Sequence, residues 1–125
     1  MAEIEAAERP GQILTRGLIR ALTDQGYAAL SEVTLATGRR VDAMAIDAKG
    51  GISVVEVKSS VADFRSDGKW PEYAEYCDRF FFAVPADFPQ EILPAEPGLF
   101  VVDAYGGALI RPAPEHKPVS YTHLT

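Results

Sequence analysis

Two segments of strand character, Val41–Asp47 and Ile52–Lys58, are joined by only Ala48-Lys49-Gly50-Gly51. So short a link makes the two strands antiparallel neighbours. It also sets their register, because a three-residue loop built from a type I turn and a left-handed glycine is a favoured hairpin connection, and Gly50 occupies the third place. Asp47 then faces Gly51, and Asp42 faces Glu56. On that register Met44, Ile46, Ile52 and Val54 share a face, with Asp42 and Glu56 side by side at its far end and Lys58 emerging next to them.

Two carboxylates directly opposite on a sheet repel by some tenths to about one kcal/mol, and by more where the surroundings are dry. A divalent cation between them reverses the sign. Mg²⁺ takes oxygen ligands, usually one or two carboxylates with water and substrate phosphate, which this pair and the Val57 carbonyl can offer. Such an ion polarises a phosphoryl oxygen and acidifies a bound water, while an ammonium such as that of Lys58 positions the water or stabilises the developing charge. The constellation points to phosphodiester hydrolysis assisted by Mg²⁺ or Mn²⁺. An ordinary ion pair of Asp42 with Arg39, Arg40 or Lys58 is the structural alternative.

Around this hairpin the pattern is mixed. Ile13, Leu14, Leu18, Ile19 and Leu22 mark one face of a helix from about Pro10 to Gln25, with Arg16, Arg20 and Asp24 on other faces and Gly26 as its stop. Ser31–Ala36 alternates Val33 and Leu35 with Glu32 and Thr34, the period of a half-buried strand, before a turn at Thr37-Gly38-Arg39. Ser59 and Ser60 can cap the next segment; Val61–Gly68 reads as loop or a short helical turn, and Trp70–Asp78 as a second helix opening on Pro71. Phe80–Val84 is uniformly apolar, as a strand covered on both faces would be. Pro85 ends it. A proline-punctuated connector with one turn near Gln90–Leu93, a strand Leu99–Ala104 and a hairpin through Gly106-Gly107 into Leu109–Arg111 complete the pattern.

A chain of 125 residues with 47% hydrophobic residues suffices for one globular α/β domain and does not fit disorder. Its single cysteine, Cys77, cannot form an internal disulfide, and with only His116 and His123 beside it there is no zinc-ligand set. The expected setting is the cytoplasm, since no signal peptide or membrane span is discernible. The net charge of −6 argues against bulk coating of nucleic acid. It is unevenly spread: residues 1–10 carry −2, residues 11–70 carry +1 and residues 71–125 carry −5. Residues 1–10 read as an acidic leader, 11–111 as the domain and 112–125 as an irregular tail.

The string RRVDAMAID, a glycine turn and ISVVEVKSS resembles the PD-(D/E)XK nuclease superfamily. That resemblance implies a restriction-endonuclease-like α-β-β-β-α-β core with a mixed central sheet flanked by helices, here followed by a small C-terminal β-hairpin. It assigns Asp42, Glu56 and Lys58 to the motif, with Val41 standing where the motif name has proline. Through DFRSDGKWPEYAEYCDRFFFAVP the likeness narrows to the MmcB family of bacterial proteins assigned to DNA repair. It covers about Thr15 to Arg111 and implies a DNA-repair endonuclease. Many members of the superfamily draw another acidic ligand from the first helix. Here that helix has no acid before Asp24, and Glu32 on the first strand is the candidate substitute.

Arg39, Arg40, Arg65 and Lys69 are the candidate phosphate contacts. Asp63 and Asp67, in the same charged run, are equally readable as caps. Trp70, Tyr73 and Tyr76 have the spacing of a core stripe, with Trp70 the one open to stacking on an unpaired base. Two functions are compatible with these residues: a deoxyribonuclease holding Mg²⁺ or Mn²⁺, or a catalytically inactive nuclease-fold domain that binds DNA or a repair partner. A homodimer is compatible with either.

Overall fold

The computed structural model describes residues 8–115. Most of the expected leader, and the tail from His116 through His123 to Thr125, lie outside the described residues. The chain runs α1 (Pro10–Asp24), β1 (Ala28–Thr34), β2 (Arg40–Ile46), β3 (Ile52–Val57), α2 (Val61–Arg65), α3 (Trp70–Ala74), β4 (Arg79–Val84), a 3-10 turn (Gln90–Ile92), β5 (Gly98–Val102) and β6 (Gly107–Arg111). The six strands form one sheet in chain order. β1, β2 and β3 pair antiparallel, β3–β4 and β4–β5 pair parallel, and β5–β6 returns antiparallel. This is the expected α-β-β-β-α-β order with its trailing hairpin and mixed sheet.

The two faces of the sheet are covered differently. On one, Leu14, Leu18 and Leu22 of α1 pack against Ala43, Ala45, Val55, Ala83 and Phe100. The alanines keep that face low enough for a whole helix to lie across it. On the other, Val54, Phe80, Phe82, Val84 and Leu99 meet Tyr73 and Cys77 from the β3–β4 link, and Phe88 and Leu93 from the β4–β5 link. β3 and β4 are therefore buried almost throughout, which is why Phe80–Val84 reads as an unbroken apolar run. Ala113 joins the α1 face, and its carbonyl accepts a hydrogen bond from Arg79 Nη1 at 2.7 Å. Ala113, two residues beyond Arg111, is thus fastened to the sheet.

The β2–β3 connection follows the sequence reading. Gly50 adopts φ 85°, its N–H donates to the Asp47 carbonyl at 3.0 Å, and Ile46↔Ile52 through Ala43↔Val55 set the expected register. Two other elements differ from expectation. The second helix stops at Ala74 rather than Asp78, because the chain turns to bring the Asp78 N–H and carboxylate onto the carbonyl and N–H of Ile52, both at 2.7 Å. In β1, the strand starts at Ala28 and regular alternation fails at Glu32, whose φ is +55°. Ala29 consequently packs on the α1 face but Val33 on the opposite one, and across the ladder Ala43 and Val41 divide in the same way. Residues four apart, or two apart, on a regular strand share a face; here the strand pair rolls over at Glu32 and Asp42.

One glycine decides how α1 meets the far end of the sheet. A Cβ on Gly17 would lie 1.7 Å from the Asp103 carbonyl oxygen, at the start of the β5–β6 turn. Gly17→Ala would gain about 1 kcal/mol in an isolated helix. In the folded chain it is expected to cost about 1–3 kcal/mol instead, because the helix must move off the turn. A lower urea midpoint at unchanged m-value checks this; a higher midpoint contradicts the close approach.

Candidate active site: an acid pair set into the sheet

The rollover places the two acids. Beyond Ala43↔Val55 the β2–β3 ladder does not continue as plain backbone. The Val57 N–H, which an extended ladder would give to the Val41 carbonyl, donates to Asp42 Oδ2 at 2.8 Å. Reciprocally, the Asp42 N–H donates to Glu56 Oε2 at 3.0 Å. The carboxylates are thus neighbours, as the register required, but they are inserted between the strands rather than resting on the apolar face. Glu56 is only 5% exposed.

Burial pushes both acids up. Glu56 rises to about 8, first because it is buried and second because the Asp42 carboxylate faces it; the N–H of Asp42 and the Lys58 ammonium oppose the rise. Asp42 is also raised by burial, against the Val57 N–H and Lys58. At neutral pH the pair retains a proton that two free carboxylates would have lost.

Lys58 follows directly from β3 and is itself buried, at 6% exposure. Its backbone N–H continues the parallel ladder to the Ala83 carbonyl at 2.9 Å. Its ammonium lies 2.5 Å from Asp67 Oδ2. Burial by itself would lower the lysine, but the Asp67 carboxylate more than offsets this and keeps it charged. The α2 turn brings Asp67 back to it: Ser60 caps the helix by accepting from the Asp63 N–H at 3.1 Å, and Asp63 Oδ2 accepts from the Ser59 N–H at 3.0 Å. Asp63 is therefore the capping carboxylate, whereas Asp67 is the partner of the motif lysine. Nothing local in the sequence marks that pairing, since it depends on the path of the turn.

The acids open on a cleft of about 1200 Å³ between the N-terminal half of α1, the β1–β2 pair and the β5–β6 turn. Of the candidate phosphate contacts, Arg40 lines this cleft and pairs with Glu32 at 3.4 Å. Arg39 pairs instead with Glu72 of α3 at 3.5 Å. Arg65 and Lys69 are on the α2–α3 segment and do not line the cleft. Glu32 is in the cleft wall with Arg40, and among the described residues no three His, Cys, Asp or Glu side chains gather as a metal-holding group. Trp70 stacks on Phe80 at 5.5 Å between ring centroids and meets Phe82 edge-on, so it belongs to the core. Cys77 is buried, its thiol pushed up to about 12 by that burial, and is inert packing.

A model of the DNA repair protein MmcB-like family matches residues 4–124. The chain belongs to that family. A protein of unknown function from Silicibacter pomeroyi is 49% identical, with a TM-score of 0.85 over 90% of this chain and 77% of that one. A repair endonuclease from Pyrococcus abyssi is 17% identical, with a TM-score of 0.46 over 69% of this chain and 42% of that one. No curated protein matches. This MmcB-like chain accordingly shares its fold with the Silicibacter protein. Among the described residues no helix is long and apolar enough to cross a membrane.

Proposed function

We propose that this protein is a DNA-repair endonuclease that hydrolyses DNA phosphodiesters with Mg²⁺ or Mn²⁺ held by Asp42 and Glu56. The observation that carries the reading is the buried acid pair, held in reciprocal hydrogen bonds at the end of the sheet and open to a cleft of about 1200 Å³. Two acids kept dry and close, both reluctant to ionise together, fit a site whose resting charge is completed by a cation. The Val57 carbonyl is the neutral ligand beside them, and Glu32 in the cleft wall is the further acidic candidate. When bound, such an ion supplies neutralisation of the phosphoryl oxygen and a water of lowered pKa.

The chain's own groups then have separable tasks. Lys58, kept cationic by Asp67, holds a donor toward the attacking water or the developing negative charge. Arg40 meets phosphate inside the cleft, and Arg39, Arg65 and Lys69 are the candidate contacts for DNA that extends beyond it. Cutting both strands of a duplex calls for two such sites, hence two copies or a partner.

A panel of single-stranded, flapped, nicked and abasic DNA with Mn²⁺ tests the reading. Cleavage of at least one member, stopped by a chelator, is the expected result. The second reading, an inactive nuclease-fold domain that recruits DNA or a repair protein, is favoured by the lack of a third gathered acid among the described residues. It would be preferred if every member of the panel survived intact.

A further inference from the structure

The cleft has a wall that the acid pair does not explain. Arg9, just before α1, and Arg16 and Arg20 within it all line the cleft. Spacings of seven and four residues put the three arginines on one stripe of a helix, within about 20° of a common line. The stripe is about 16 Å long, the rise of about five nucleotides of one strand in a duplex. Arg16 is paired with Glu8, whereas Arg9 and Arg20 have no acidic partner among the described residues. Both are exposed.

An exposed aromatic ring shares the cleft with this stripe. Tyr105 is 81% exposed and also lines the cleft. Its position is fixed rather than loose: Asp103 Oδ1 accepts from the Tyr105 N–H at 2.8 Å and from the Gly106 N–H at 3.0 Å, and the turn abuts α1 at Gly17. A large amphipathic ring held in water by a braced turn, in one cleft with exposed guanidinium groups, is the equipment of a single-strand site, where bases stack on aromatics and the backbone follows positive charge. A duplex does not fit as well, because its bases are already stacked on each other.

We propose that the cleft is a track for one unpaired DNA strand, with phosphates on Arg9, Arg16 and Arg20, a base on Tyr105, and the phosphodiester beyond them delivered to the acid pair. The track rests on the nuclease reading only for what happens at its end.

Binding of a short labelled oligothymidylate, followed by fluorescence anisotropy across a salt series on the full chain carrying Glu56→Gln so that the strand is not consumed, tests it. Arg9→Ala with Arg20→Ala is expected to weaken binding at least tenfold at low salt. It should also flatten the slope of log K against log salt by about 1.4, or 0.7 for each lost phosphate contact. Tyr105→Ala is expected to weaken the single strand about tenfold at unchanged salt slope, with Tyr105→Phe restoring it and duplex binding unaffected. Failure of the oligothymidylate to bind, an unaltered slope in the arginine variant, or equal losses on duplex and single strand for Tyr105→Ala would each overturn the track. Cleavage separates the two ideas. Arginine and tyrosine variants that cut and bind like the parent remove the track and leave the nuclease, whereas a strand that binds with these dependences but is never cut leaves the track and removes the nuclease.

Discussion

Glu56→Gln is expected to yield a folded protein that no longer cuts DNA. In the metal-free state Glu56 has its pKa near 8, so at neutral pH the native side chain is largely the neutral acid, which glutamine matches in shape and charge. The amide oxygen can accept the Asp42 N–H as the carboxyl does now. What glutamine cannot do is release a proton and become an anionic ligand. Loss of cleavage should therefore reach about a thousandfold or more, the scale on which removal of one electrostatic stabiliser acts, while the melting temperature stays level or rises. Glu56→Ala is a poorer test, since it also leaves the Asp42 N–H without an acceptor, at a cost of about 1–3 kcal/mol. Steady-state cleavage and a thermal melt on the same preparation decide the matter: near-parental cleavage by the glutamine variant ends the assignment of Glu56 as a ligand.

The second large effect is a fall in metal-free stability as pH rises, reversed by Mn²⁺. An ordinary glutamate titrates near 4.5 in the unfolded chain and Glu56 near 8 in the folded one, so between these values the folded state holds a proton that the unfolded state has lost. Stability then decreases with pH. The contribution is complete below about 4.5 and gone above about 8, and amounts to at most about 5 kcal/mol. Asp42, also raised, acts in the same direction. Asp67 is lowered, because Lys58 and the Lys69 N–H outweigh its burial, and acts oppositely in the more acidic range. Carboxylates must be deprotonated to hold a cation, so the gain in melting temperature from millimolar Mn²⁺ should be several degrees larger near pH 8 than near pH 5.5. Melts that are flat in pH and indifferent to Mn²⁺ would leave the acids without a cation and favour the recruiting domain.

Much of this site is legible from spacing because short-range chemistry controls it. Gly50 in the third loop position fixes chirality, chirality fixes register, and register brings Asp42 to Glu56. The all-apolar Phe80–Val84 likewise announces a strand covered twice. What escapes the sequence is set by contacts between distant segments. The reversal at Glu32 needs a left-handed residue that is not glycine, and nothing in Ser31-Glu32-Val33 signals it. The Lys58–Asp67 pair depends on α2 ending after one and a half turns. Arg16 and Arg20 read as an outer helical face; they line a cleft because α1 overhangs the sheet beside a turn brought in by Gly17. Trp70, the ring left open to stacking, is used by the core, and Tyr105 is the aromatic left in solvent among the described residues.

The acids at the cleft are also stitches in the backbone pairing of β2 with β3. Replacing either side chain by one that carries no oxygen acceptor therefore unpicks a main-chain hydrogen bond between β2 and β3. Retention of an oxygen acceptor at both positions in a relative would thus report on its architecture before any activity.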